Sequence, residues 1–171
     1  KKMIKRVIKR FVKVFIIEDD RTIFIRNGKK LTFGDQKGQV DYLINHVLNY
    51  EKNGLPRGLY FVDLACADGV FINNTYFLEK YLNWTGLLFE PNPMYFEQIS
   101  SERSSAHIKE CVTDKLGETL RFRVDCGMLG GIVGDNFDNN QAIRGAELAK
   151  AEIIKLKSTT LSHEFEINNA P

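Results

Sequence analysis

The chain has 171 residues, 43% of them hydrophobic, which is enough for one buried core and points to a single domain. Its formal net charge of +2 is unevenly placed: Lys1, Lys2, Lys5, Arg6, Lys9, Arg10 and Lys13 precede the first acid, and the remainder is net acidic. That excludes a nucleic-acid binder with a basic body. The longest apolar runs are far short of a membrane span, so no segment reads as a transmembrane helix. Cys66, Cys111 and Cys126 are odd in number and lack a Cys-x-x-Cys pair. This argues against a disulfide framework or a zinc site and for a reducing, cytoplasmic compartment.

In chain order, "KKMIKRVIKRFVKVFII" spaces Met3, Ile4, Val7, Ile8, Phe11, Val12 and Phe15 at helical intervals among basic residues. The pattern predicts a basic amphipathic helix over residues 1–17. Its apolar stripe either caps the domain's own core or contacts an anionic membrane surface or a partner. Charges run through the stretch and no small-residue cleavage site follows, which excludes a secretory signal. "TIFIRNGKKLTF" places Asn27-Gly28 between two β-rich runs and predicts a hairpin. "YLINHVLNY", Tyr42 to Tyr50, predicts a helix that ends in the turn-rich "EKNGLPRG". Residues 1–57 therefore read as an N-terminal segment of basic helix, hairpin and entry helix.

From residue 58 to 171 the rhythm alternates strand and helix. "LYFVDLA" and "TGLLFE" are continuous apolar runs of strand length, as for strands buried on both faces. A helix is expected across "GVFINNTYFLEKYL", and another in "PNPMYFEQISSE", where prolines fall in the tolerant first turn. "HIKECVTD" reads as a third strand and "ETLRFRVDC" as a fourth, joined by the turn "DKLG". After the Gly- and Asn-rich "GMLGGIVGDNFDNN", a helix around 144–150, a strand "AEIIKLK" and a short helix "TTLSHEF" complete the chain. Repeated strand–helix–strand units imply an α/β fold with an open parallel sheet.

In such sheets ligands sit beyond the carboxyl ends of the strands. Asp63, Ala65, Asp68 and Gly69 follow the first strand there, with small residues that admit a close backbone approach. Glu90 ends the second strand, at the offset where an acid accepts ribose hydroxyls. Asp114 ends the third, where an acceptor meets an adenine amino group. Asp68 can alternatively cap the next helix, and Glu90 can be a solvated acid. A dinucleotide needs a glycine-rich, anion-free turn, whereas A-C-A-D-G has carboxylates and no base. Each carboxylate–phosphate contact at about 4 Å costs roughly 4 kcal/mol at an effective dielectric near 20. S-adenosylmethionine has no phosphate and carries a sulfonium and an ammonium, so the charge pattern favours it.

The stretch "GLYFVDLACADGVFINNTYFLEKYLNWTGLLFEPNP" resembles the core of the FkbM-type methyltransferases, whose pattern is roughly F-V-D-I-G-A-N-D-G, S-N-T-Y-F-L-E and W-x-G-L-x-x-E-P-N-P. "CVTDKLGE" and "MLGGIVGDNFD" resemble later family segments. "GDQKGQVDYL" loosely matches the S-Q-x-x-Q-D entry motif through Gln36 and Gln39, with Asp35 in place of the serine and the acid one residue late at Asp41. The resemblance implies a class I methyltransferase (Rossmann-like) open sheet that binds S-adenosylmethionine and methylates a hydroxyl on a sugar or secondary metabolite. By motif, Asp63, Asp68 and Gly69 line the methionine and ribose part, Glu90 the ribose hydroxyls with Asn92 following in the same cofactor-binding motif, and Asp114 the adenine side. Ala65 stands where the family has glycine and Ala67 where it has asparagine, which implies altered donor binding. The family continues past "TTLSHEFEINNAP" with a fourth core strand, so the chain reads as an incomplete, N-terminal part of such an enzyme.

A hydroxyl acceptor needs a base within hydrogen-bond reach. His163 and Asp138 are the candidates, each with a structural or solvated alternative; His46 and His107 read as packing residues inside a helix and a strand. No metal is expected. The alternative from another class is a non-catalytic or degenerate nucleoside-binding or assembly domain, favoured by Ala65, Ala67 and the incomplete sheet. Expected partners are a small-molecule or saccharide acceptor, a membrane surface through residues 1–17, and a second copy of the chain.

Overall fold

The computed structural model describes residues 13–18, 21–26, 29–32, 38–49, 53, 56–124, 130–134 and 152–171. The chain forms two compact units, Lys1–Leu59 with Val70–Trp84, and Tyr60–Gly69 with Thr85–Pro171.

In the first unit, β1 (Lys13–Glu18), β2 (Arg21–Arg26) and β3 (Lys29–Thr32) form an antiparallel sheet in that order. The helix expected over residues 1–17 is thereby corrected where it can be seen. Lys13–Glu18 is a strand, registered from Lys13 opposite Arg26 to Glu18 opposite Arg21. The run Val14-Phe15-Ile16-Ile17 is β-branched and aromatic, and β2 supplies a matching partner, so cross-strand pairing overrides the helical spacing. Residues 1–12 lie outside the described residues. β2 and β3 pair antiparallel as the expected hairpin requires, with Arg26 opposite Lys29, while Asn27-Gly28 lie outside the described residues.

The entry helix starts earlier and stops sooner than its periodicity implies: α1 (Gln39–Tyr42) continues as a π-helical turn, Leu43–Val47. His46 lies in that turn, exposed, with its ring 5.1 Å from that of Tyr42. The second expected helix is also shorter, α2 (Tyr76–Leu82). The Asn73 side chain accepts from the Thr75 and Tyr76 backbone N–H groups at 3.0 and 2.8 Å, holding the preceding residues in a turn. Asn74 donates to the Gln39 side chain at 2.8 Å, and the Trp84 indole N–H donates to the Pro56 carbonyl at 2.7 Å.

In the second unit, β4 (Tyr60–Leu64), β5 (Thr85–Phe89) and β6 (Ala106–Ile108) form a parallel sheet in the order β4-β5-β6. Between β5 and β6, a 3-10 turn at Pro93–Tyr95 leads into α3 (Phe96–Glu102). A second sheet contains β7 (Cys111–Val112), β8 (Thr119–Arg123), β9 (Gly131–Ile132) and β10 (Ile153–Thr159), in the order β7-β10-β8-β9. Only β7 and β10 run parallel in it. The last element is α4 (Leu161–Ile167), capped by the Thr160 hydroxyl.

One expectation changes here. "HIKECVTD" is not one strand: it breaks at Lys109-Glu110, giving β6 to one sheet and β7 to the other. β7 and β8 are consecutive in sequence, and β10 lies between them in the sheet. Ser158 secures the insertion, its hydroxyl donating to the Lys115 carbonyl at 2.6 Å and accepting the Glu118 N–H at 2.9 Å. The helix expected around 144–150 lies outside the described residues.

Burial concentrates on Leu87, Phe89 and Ile108, against which Tyr60, Val112 and Leu161 pack. A second cluster joins Cys111, Phe122 and Val124 to Leu120, Ile132, Ile154 and Leu156. The described residues thus form a mixed α/β structure. No helix among them is long and apolar enough to cross a membrane.

Candidate functional site

The chain leaves β4 through a turn in which Ala65, Ala67 and Gly69 all have positive φ, at 60°, 50° and 74°. Two non-glycine residues in the left-handed region within three positions mark a strained turn, which persists only when its surroundings hold it. Here the Cys66 N–H donates to the Phe89 carbonyl at 3.2 Å, and the Gly69 N–H to the Cys66 carbonyl at 2.9 Å. Arg103, buried, donates to the Gly69 carbonyl at 2.8 Å and stacks over the Phe61 ring at 5.6 Å. A side chain at Gly69 would press on Arg103 Cγ at 3.3 Å, so this glycine answers both to its φ and to its neighbour.

Glu90, just beyond β5, is 6% exposed. Its Oε2 accepts the Ala67 N–H at 2.9 Å and its Oε1 the Asn92 N–H at 2.9 Å. Burial pushes its carboxyl above the ordinary range, the two backbone donors oppose that shift, and the Asp63 charge adds to it. Asn92, 1% exposed, accepts from the Met94 N–H at 3.2 Å and donates to the Val124 carbonyl at 3.0 Å, pinning the loop after β5 to the end of β8. His107 Nε2 lies 3.0 Å from the Glu90 carbonyl oxygen. That acceptor calls for a proton on Nε2, and burial lowers the imidazole pKa, keeping the ring neutral. So His107 packs inside a strand, as its position in the sequence implied.

A cavity of about 310 Å³ opens beside this carboxylate. Leu64, Ala65, Phe89, Glu90, Pro91, Asn92 and Tyr95 form one wall; Glu110, Cys111, Val112, Phe122 and Gly130–Ile132 form the rest. Gly130 is required there, since a Cβ would lie 2.6 Å from the Arg123 carbonyl oxygen. The lining carries two carboxylates and no basic side chain. Burial and the nearby acids push the Cys111 thiol up to about 12 and raise Cys66 as well, so both are inert thiols. Burial, Glu90 and Asp68 raise the Tyr95 phenol.

The structure therefore brings Ala65, Glu90 and Asn92 to one cavity. Asp63, Asp68 and Gly69 sit on the strand and turn leading to it and do not line it; the Asp63 charge reaches Glu90 and Cys66, and the Asp68 charge Tyr95. Asp114 is displaced from the position expected of it. It is exposed in the turn after β7 and off the cavity, and Glu110 lines the wall instead. The cause is the break after β6, which moves the strand end from Asp114 to Ile108. The only local signal was the pair Lys109-Glu110 interrupting an apolar run. Cys111, Phe122 and Gly130 were also missed, because β7 and β8 reach the cavity only through β10. His163 lies on α4, half-buried and off the lining, with its backbone N–H on the Thr160 hydroxyl at 3.2 Å. Asp138 lies outside the described residues. Among the described residues no group of three His, Cys, Asp or Glu is placed to hold a metal ion.

Chemically, the cavity is an apolar slot with hydrogen-bond acceptors at two sides. It suits a neutral or cationic ligand bearing hydroxyl and amino donors and repels phosphate. Comparison with protein-family models, with curated proteins and with solved structures finds no match to this chain.

Proposed function

We propose that this chain is the donor-binding part of an S-adenosylmethionine-dependent O-methyltransferase of the FkbM type, with a class I methyltransferase architecture. One observation carries the reading: the buried Glu90 carboxylate borders a cavity of nucleoside size with half its acceptor capacity unspent. A carboxylate offers about four lone-pair sites, and two are taken by Ala67 and Asn92. The other two suit a pair of vicinal ribose hydroxyls.

Pro91, Val112, Phe122 and Ile132 supply apolar walls for a purine, and Glu110 an acceptor for its exocyclic amino group. Asp63 and Asp68 attract the cationic end of the donor, which the absence of any base in the lining also favours. Bound S-adenosylmethionine supplies an activated methyl group on its sulfonium. The protein's own part is alignment, worth up to roughly 7–11 kcal/mol in favourable systems. The acceptor in this reading is a hydroxyl of a saccharide or secondary metabolite. Buried free thiols at Cys66 and Cys111 agree with a reducing, cytoplasmic setting, and the basic residues among 1–17 with peripheral membrane contact.

Titration calorimetry with S-adenosylhomocysteine tests the reading: micromolar binding is expected, and no heat up to millimolar ligand overturns it. A second reading, a nucleoside-binding domain without catalysis, is favoured by the strained alanines at 65 and 67. It predicts that adenosine binds as tightly as the sulfonium donor and that no labelled methyl group is transferred.

A further inference from the structure

The face of β8 and β10 turned away from the cavity carries a charge pattern that donor binding does not use. Side chains alternate along β8, so Leu120 and Phe122 join the apolar cluster while Arg121 and Arg123 share the other face. Opposite them, register places Lys155 against Arg121 and Ile153 against Arg123, with Lys157 against Thr119. Four cations thus occupy one face in a diagonal stripe, spaced about 7 Å along each strand. The paired segments "TLRFR", "GI" and "IIKLK" contain no acid.

Like charges directly opposite one another destabilise a strand pair, and Arg121 faces Lys155. Lys157 reaches only neutral acceptors, the Gly117 carbonyl at 3.1 Å and the Thr119 hydroxyl at 3.0 Å. Arg123 is only 7% exposed, and its buried Nε has no hydrogen-bond partner among the described residues. A buried guanidinium with an unspent donor is costly, and an anion held nearby would offset its charge.

We propose that this stripe is a binding site for a multivalent phosphate-type oxyanion, with Arg121, Lys155 and Lys157 as its exposed contacts and the buried Arg123 adding positive charge beneath them. Arginine's planar fork suits the oxygens of a phosphoryl group, and the two lysines add point charge. A single phosphate monoester carries at most two negative charges, so four cations match a ligand with two or more such groups. Soluble polyphosphorylated compounds and clustered phosphate headgroups of a lipid surface present this same chemistry.

The test uses the full chain in two arms, calorimetry with inorganic tripolyphosphate and co-sedimentation with phosphatidylcholine vesicles containing phosphatidic acid. Saturable binding in the first arm assigns a soluble ligand; binding in the vesicle arm alone assigns a lipid headgroup. In either case Arg121→Gln with Lys155→Gln, both at exposed positions, should weaken binding at least tenfold. The slope of log K against log salt should also fall by about two. Lys80→Gln, on α2, should change nothing. Arg123→Gln, which removes one charge beneath the stripe, should weaken binding less than the exposed double variant; should it fail to fold, the exposed double variant decides alone. No binding in either arm, or binding indifferent to the Arg121/Lys155 double variant, overturns the proposal.

Discussion

The Glu90 carboxylate accepts the Ala67 backbone N–H at 2.9 Å, so the end of β5 holds the turn that leaves β4. One side chain thereby does two things: it keeps a strained backbone in place and presents its remaining lone pairs to the cavity. Glu90→Ala should weaken S-adenosylhomocysteine binding by about 1.5–3 kcal/mol, the usual worth of hydrogen bonds to a charged group. Asp114→Ala, in an exposed turn off the cavity, should leave the affinity almost unchanged. Calorimetry on the two variants separates the cases, and equal losses would remove Glu90 from the site.

The raised pKa of Glu90 gives stability and binding opposite pH dependences. A carboxyl whose folded value exceeds its ordinary 4.5 contributes most to stability below 4.5 and loses that contribution as pH rises through the folded value. The unfolding free energy of the wild type minus that of Glu90→Gln, from urea denaturation, should therefore decline across that window, by no more than about 1.4 kcal/mol per pH unit. Ribose needs the ionised acceptor, so nucleoside affinity should rise over the same window. Parallel trends in the two measurements would contradict the assignment.

Much of this was readable in the residues, and what was not has a common cause. β4 and β5 follow from continuous apolar runs, and the antiparallel pairing of β2 with β3 from the Asn-Gly signal between them. These are local signals. β1 was read as helix because spacing along one segment cannot show that Thr22–Ile25 will pair with Val14–Ile17. Glu110 was passed over for Asp114 because the break between β6 and β7 depends on β10, far along the chain. The acid at the end of β5 was legible, since the apolar run before it ends there; its bond to the Ala67 N–H was not, because it needs the turn's conformation.

Ala65→Gly should stabilise the fold. An L-residue in the left-handed region costs roughly 1–2 kcal/mol; glycine relieves that strain, and the greater freedom of its unfolded chain offsets part of the gain. A net gain of about 0.5–1 kcal/mol in chemical denaturation is expected. Ala65→Val, which adds a branched side chain at φ 60°, should lose more than the glycine gains. A destabilised glycine variant would show that the turn is not strained.

Gly86→Ala tests how tightly β4 and β5 pack. A Cβ at 86 would lie 2.2 Å from the Phe61 carbonyl oxygen and 2.5 Å from its ring, and backbone must move to admit it. A loss of about 1–3 kcal/mol is expected from overpacking, read from urea unfolding. Loss of Trp84 fluorescence burial at the same midpoint would show that the two units unfold together.

β4 has a strand neighbour on one side only among the described residues, with Val62 38% and Leu64 52% exposed. It carries no lysine or proline of the kind that blunts an edge. The chain should self-associate through this edge at low micromolar concentration in sedimentation experiments, and Val62→Lys should return it to monomer. A wild-type chain that stays monomeric under those conditions would show that the edge is already covered.

The insertion of β10 between β7 and β8 also sets an order of events on the ribosome. Neither β7 nor β8 has its principal neighbour until Ile153–Thr159 has been synthesised, so the cavity wall they build cannot close as they emerge. Long-range pairing of this kind is slow, because loop entropy is lost before contacts reward it. The parallel β4-β5-β6 sheet, whose strands are adjacent in sequence order, can form first and present Glu90 while the opposite wall is still being made. A ligand that bridges Glu90 and Glu110 would then favour closure of the late sheet, and nascent chains should mature faster in its presence.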